Sequence, residues 1–215
     1  PCPLCCPQLE GLCSFLQLSS CSEHLLVRFC GWLLALTPDL SFSSAAILAE
    51  QLFLRRVSVG TEVFCTPFPS LPSQTPASFC PQVLSLTQPP SRHLMAALAS
   101  FCSKYSQPFC RVLVAKVLQE PGEGAEQIKV VCELVEECLE PDSVRLVLSQ
   151  VLELPLSEKL LLVVQAVLGR QEFLPPELFD LLVLTLCRQA LAFSTSFNYA
   201  KLVTAMLTIY QSQVS

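Results

Sequence analysis

The side chains in this sequence that could do chemistry are cysteines, glutamates and two histidines. Cys2 and Cys5 stand at the Cys-x-x-Cys spacing of a metal-ligand pair. A structural zinc site needs four ligands. No second pair follows at zinc-finger distance, and His24 and His93 are the only histidines. No metal site is expected, and both histidines read as ordinary helix residues. Glu133, Glu136, Glu137 and Glu140 form an acidic cluster. Paired carboxylates can share general acid and base work. Steps of three and four residues, however, put these four along one helix side, the pattern of a solvated face. A nucleophilic cysteine needs a cationic, partly exposed setting that lowers its pKa. Cys132 and Cys138 lie among glutamates and apolar residues, which raise it. Cys110 has Arg111 beside it, but neighbouring helix positions do not face each other, so Cys110 reads as a core thiol. There is no G-x-S-x-G sequence, and six glycines leave little room for a phosphate-binding loop. No catalytic, cofactor-binding or metal-binding residue is assigned, and an enzyme is not expected.

These residues sit on helices. From Ala125 to Gln213, apolar stretches of helical period follow one another with short breaks. Ile128, Val131, Cys132, Leu134 and Val135 make the first stripe. Pro141 breaks it, and Asp142 or Ser143 is the expected cap of the next helix, which carries Val144, Leu146, Val147, Leu148, Val151 and Leu152. Pro155 breaks the pattern again, with Ser157 as the next cap. Leu160 to Leu168 is apolar nearly all round, so this helix must be covered on several sides, and it is too short to span a bilayer. Gly169 is the expected stop. Pro175 and Pro176 open a helix through Leu178 to Ala192, and Ser194 or Ser196 starts the last. Helix pairs begin near Ser91, Ala125, Ser157 and Ser196, at steps of 34, 32 and 39 residues. That is close to the period of a helix-pair solenoid. The fold expected is all-α, an irregular HEAT-like solenoid of stacked antiparallel helical hairpins, with a plain helical bundle as the alternative.

The N-terminal half follows the same grammar. Residues 1–8 are mostly proline and cysteine, and we expect this segment to be non-native or disordered. Residues 9–215 form the helical-repeat domain. Leu9 to Leu18 is a short helix. Ser22 caps a stronger one through Leu25, Leu26, Phe29, Cys30, Leu33, Leu34 and Leu36, with Trp32 partly buried and its N–H needing a partner. Ser43 or Ser44 starts a third. After an interruption, Ser91 caps Leu94 to Phe101, and Pro108 opens Phe109 to Leu118. The interruption is residues 57–82, with five prolines, one charge and no period. A 26-residue structureless insert inside a compact domain is unusual. Val57-Ser58 can be encoded by a typical intron start, and Phe64 to Gln82 is rich in residues with pyrimidine-rich codons. Pro81-Gln82 can be encoded by a run ending in CAG, a typical intron end. We therefore read 57–82 as a translated intron, whose removal joins Arg56 to Val83-Leu-Ser-Leu86. The other reading is a functional loop. Residues 1–8 have the same pyrimidine-then-CAG look, and Val214-Ser215 looks like another intron start.

Composition fits a domain of this kind. Hydrophobic residues make up 52% and charged residues 14%, so a large core is available and disorder is not expected over most of the length. A net charge of −5 with scattered Arg55, Arg56, Arg111 and Lys201 argues against a nucleic-acid surface. The apolar excess suggests helix faces covered by another protein. Thirteen cysteines, an odd number, do not suit a secreted disulfide framework. Cys30, Cys102, Cys110, Cys132 and Cys187 take apolar positions, as buried reduced thiols do. No positive charge precedes the first apolar residues, so no signal peptide is expected.

An ordered set of stretches resembles the C-terminal helical domain of the Fanconi anaemia group E family. They are Leu25 to Ser41, Leu52 to Leu54, Val83 to Leu86, Phe101 to Tyr105, Leu139 to Asp142, Gln150 to Pro155 and Tyr199 to Leu202. The resemblance implies a right-handed stack of helical hairpins and a non-catalytic nuclear adaptor. In that family the protein binds the group C subunit of the Fanconi core ubiquitin ligase complex. It presents the group D2 protein for monoubiquitination in interstrand crosslink repair. No cofactor, no membrane and no direct nucleic-acid contact are expected. Residues 57–82 depart from the family pattern, and the family continues past Ser215 through a helical tail linked to group D2 recognition. No group D2 contact is therefore carried over. The group C surface is expected on exposed apolar residues of the N-terminal helices, with no individual interface residue assigned. The alternative function is a generic protein-binding scaffold or a nucleic-acid-binding helical repeat.

Overall fold

A computed structural model describes residues 6–15, 22–36, 40–54, 83–121 and 124–211. Among these residues the chain is helical, with no strand. The helices are α1 (Cys6–Phe15), α2 (Glu23–Leu36), α3 (Phe42–Phe53), α4 (Arg92–Lys104), α5 (Ser106–Phe109), α6 (Ala115–Gln119), α7 (Ala125–Glu137), α8 (Pro141–Leu152), α9 (Glu158–Gly169), α10 (Pro176–Gln189) and α11 (Phe197–Ile209). Residues 57–82, Cys2, Cys5, Arg55 and Arg56 lie outside the described residues.

Helices two apart in the chain pack against each other, which sets them in two rows. In one row α2 packs on α4, α4 on α7, α7 on α9 and α9 on α11. In the other α1 packs on α3, α3 on the α5–α6 run, that run on α8, and α8 on α10. The spacing of helix-pair starts is thereby explained: Ser91, Ala125, Ser157 and Ser196 mark the beginnings of α4, α7, α9 and α11, all in one row. Helix α9 touches α7, α8 and α11. Leu160, Leu161, Val163, Val164, Ala166, Val167 and Leu168 are all buried, while Leu162 is left exposed.

Aromatic rings fill the N-terminal core. Phe101 on α4 lies 5.7 Å from Phe53 on α3, 5.3 Å from Tyr105 and 6.3 Å from Phe109 on α5. Polar bonds join the two ends of α2 to α4: Ser91 Oγ donates to the Glu23 carboxylate, and Lys104 Nζ to Leu34 O at 3.1 Å. Val83–Ser85 form a 3₁₀ turn with Val83 in the core. The side-chain amide of Gln127 donates to Leu84 O at 3.1 Å and Leu86 O at 2.8 Å, fastening this segment to α7.

Local details correct several expectations. Ser91 and Ser196 cap their helices as expected, accepting from the N–H groups of Leu94 and Tyr199. The cap of α3 is Ser41, whose Oγ accepts from Ser44 N–H at 3.2 Å; Ser43 and Ser44 lie one turn inside. Helix α8 starts at Pro141, which needs no amide donor in a first turn. Asp142 instead pairs with Arg145, and Ser143 is buried within the helix. Ser157 occupies the cap position of α9 but makes no capping bond. Pro108 does not open a helix. Ser106 does, and the helix continues through a π-helical stretch, Cys110–Val114, into α6. Gly169 belongs to α9, and the left-handed residue that turns the chain is Gln171, with φ 53°. Helix α10 ends at Gln189, short of Ala192. Trp32, expected to be partly buried, is 59% exposed.

Candidate protein-binding surfaces

Among the described residues, packing brings Cys102 near Cys110, Cys138 and Glu140. Cys102 and Cys110 are fully buried. Burial pushes the Cys110 thiol up to about 12. Burial, joined by Cys110, Cys138 and Glu140, raises Cys102 as well. Cys132 is half-buried, and burial followed by the negative field of Glu136 pushes it up to about 12. Cys138 is raised by burial and then by Glu137 and Glu133, against an opposing effect of Arg170. These thiols are held in the unreactive protonated form. Cys187 corrects the sequence reading, since it is exposed on α10. The four glutamates are solvated as their spacing implies: Glu133, Glu136, Glu137 and Glu140 are all exposed. His24 and His93 meet edge to face, ring centres 5.9 Å apart, on the outside of α2 and α4. Among the described residues, no group of three or more His, Cys, Asp or Glu side chains could hold a metal ion.

What the fold presents instead is apolar surface. On α2, Leu26, Cys30 and Leu33 face the core. The opposite side carries Leu25 (54% exposed), Arg28 and Trp32 at helical spacing. A tryptophan and an arginine on one exposed face are the residue types that dominate binding energy at protein interfaces. Leu12 and Phe15 on α1 and Phe42 at the start of α3 are exposed too. A second surface lies across α7, α9 and α11. Two adjoining hollows of about 680 Å³ and about 540 Å³ share Ile128, Lys129 and Leu162. Sequence periodicity missed both hollows. It marks which residues are apolar, whereas exposure depends on which helix side the neighbours leave uncovered.

A family model described as Fanconi Anaemia group E protein FANCE matches residues 3–71 and 72–215. The chain belongs to the Fanconi anaemia group E family. It is 43% identical over 213 residues to the human Fanconi anemia group E protein, a match covering 98% of this chain and 35% of the human one. The chain thus spans about a third of the length of that group E relative. Both matches run the length of the helical array, and its exposed faces are the candidate sites of this group E chain. No helix among the described residues is long and apolar enough to cross a membrane.

Proposed function

We propose that this chain is a non-catalytic adaptor of the Fanconi core complex. It binds the group C subunit and helps present the group D2 protein for monoubiquitination in interstrand crosslink repair in the nucleus. Family membership supports the pathway assignment. The observation that carries the binding reading is the α2 face of Leu25, Arg28 and Trp32, which offers apolar and hot-spot side chains to solvent. We assign the group C contact to this face. The two rows of helices are read as a HEAT-like solenoid, an architecture that offers extended binding surfaces and no built-in chemistry. Residues 9–215 form one repeat domain, and 57–82 is a translated intron rather than a functional loop.

The test is a pull-down of this chain, with and without residues 57–82, against the group C and group D2 proteins, with transcript sequencing across the same segment. Retention of group C, lost in Trp32→Ala, supports the adaptor reading. Failure of both forms to retain group C overturns it. Transcripts in which 57–82 is ordinary exon overturn the intron reading.

A further inference from the structure

The groove along α9 is built from the sides of three helices that run in one direction. The N-terminal residues Ala125, Glu158 and Asn198 line its first hollow, and the C-terminal residues Glu136, Gly169 and Ile209 line its second. Helix α9 has 12 residues, so the groove is about 18 Å long, the length of roughly three helical turns. Its floor is apolar and low. Ala166, Gly169 and Ala205 supply no bulk, and a Cβ placed on Gly169 would meet nothing within 4 Å. Leu162 rises from the middle, 40% exposed. Small residues let another backbone come close, and one central leucine gives it something to pack around.

The polar groups at the groove are mostly committed to one another. Asn198 Nδ2 donates to the Glu158 carboxylate at 2.9 Å, Gln165 Nε2 to Asn198 O at 2.8 Å, and Lys159 Nζ to Glu120 O at 2.5 Å. Lys129 pairs with Glu126 at 2.7 Å. Donors that satisfy each other do not converge on a small molecule, which needs a few precisely aimed polar groups. Two carboxylates on the α7 wall, Glu133 and Glu136, form no ion pair among the described residues. Arg170, the nearby guanidinium, is held by Glu172 and by the backbone carbonyls of Val135 and Glu136. The facing α11 wall carries Lys201.

We propose that this groove binds an amphipathic helix of a partner protein. The occupant has an apolar stripe of about three turns, a Lys/Arg-bearing flank toward Glu133 and Glu136, and an acidic flank toward Lys201. This extends the adaptor reading by giving the chain a second docking surface, apart from the α2 face. Opposite charges on the two walls fix which side of the helix faces which wall, and the apolar floor supplies the affinity.

The probe is a synthetic 16-residue helical peptide with a Leu/Ala stripe, arginines on one flank and glutamates on the other. The control has glutamates on both flanks. Binding to the full chain is read by fluorescence anisotropy. The mixed-flank peptide binds at least ten-fold tighter than the control. Leu162→Arg weakens it at least ten-fold, and Glu133→Lys with Glu136→Lys removes its advantage. All three side chains are exposed, and far-ultraviolet circular dichroism checks that each variant is folded. Equal binding of both peptides, no binding of either, or indifference to Leu162→Arg overturns the proposal. Group C retention is measured on the same samples. Loss of peptide binding with group C retained refutes the groove alone, and absence of group C binding by the unaltered chain refutes the adaptor reading.

Discussion

Phe101→Ala removes the ring that joins three helices. The side chain is fully buried and touches Phe53 of α3, Tyr105 and Phe109 of α5. Burying a large side chain and leaving a cavity on its removal costs about 3–5 kcal/mol in well-packed cores. Each well-placed ring pair adds roughly 0.5–1.5 kcal/mol beyond burial. Phe53 and Phe109 also touch each other, at 6.3 Å, so part of the site can close and the ring terms do not add fully. A net loss of about 4 kcal/mol follows, a large share of the ~5–15 kcal/mol that typically holds a domain together. With a urea slope of about 2–3 kcal/mol/M, the midpoint falls by roughly 1.3–2 M. The assay is urea unfolding followed by circular dichroism. The control is Phe173→Ala, 67% exposed, which moves stability by less than about 0.5 kcal/mol. A midpoint shift below about 0.5 M for Phe101→Ala, or shifts of equal size for both, would refute the claim that this cluster anchors the N-terminal half.

Gln127→Ala frees the carbonyls of Leu84 and Leu86. It costs about 1–2 kcal/mol and speeds proteolytic cleavage near residue 84, read by mass spectrometry. Tyr199→Phe removes the 2.7 Å bond from its hydroxyl to Leu186 O and lowers stability by about 1 kcal/mol in the same urea assay. Site-resolved alkylation at pH 8 modifies Cys187 before Cys102 or Cys110. At Cys132 the rate keeps rising above pH 9 toward about 12, and Glu136→Gln accelerates it by removing a negative neighbour. The raised thiols also set a pH dependence of stability. Between their ordinary value of 9.0 and about 12, Cys110 and Cys132 stay protonated in the folded chain and ionise in the unfolded one. The folded state then binds more protons, so stability falls as pH rises through this window. An unfolding midpoint flat from pH 8 to 11 would contradict it.

Much of this protein is legible in its sequence because helix grammar is local. Apolar spacing and proline breaks place α7 to α11 in order, and the spacing from Ser91 to Ser196 marks the starts of one row of helices. Serine signals at 91 and 196 predict caps correctly, because a cap needs only the residue and the amide one turn on. The same signals fail at Ser43, Ser44, Asp142 and Ser143, where neighbouring candidates compete and backbone geometry selects Ser41 and Glu140. The all-apolar run Leu160 to Leu168 states that α9 must be covered but not by what. Coverage by α7, α8 and α11 is a property of the assembled rows. Trp32 and Cys187 show the same limit from the other side. Their types suggest burial, yet α2 and α10 turn them to solvent, since which face a neighbour covers depends on contacts between residues far apart in sequence. The groove has no sequence signature. Leu162, Glu133 and Lys201 come from three helices, and packing alone makes them one surface. The sequence by itself determines helices, breaks and family, through interactions within a few residues. Tertiary structure decides which apolar residues remain in water, because burial is a relation between elements.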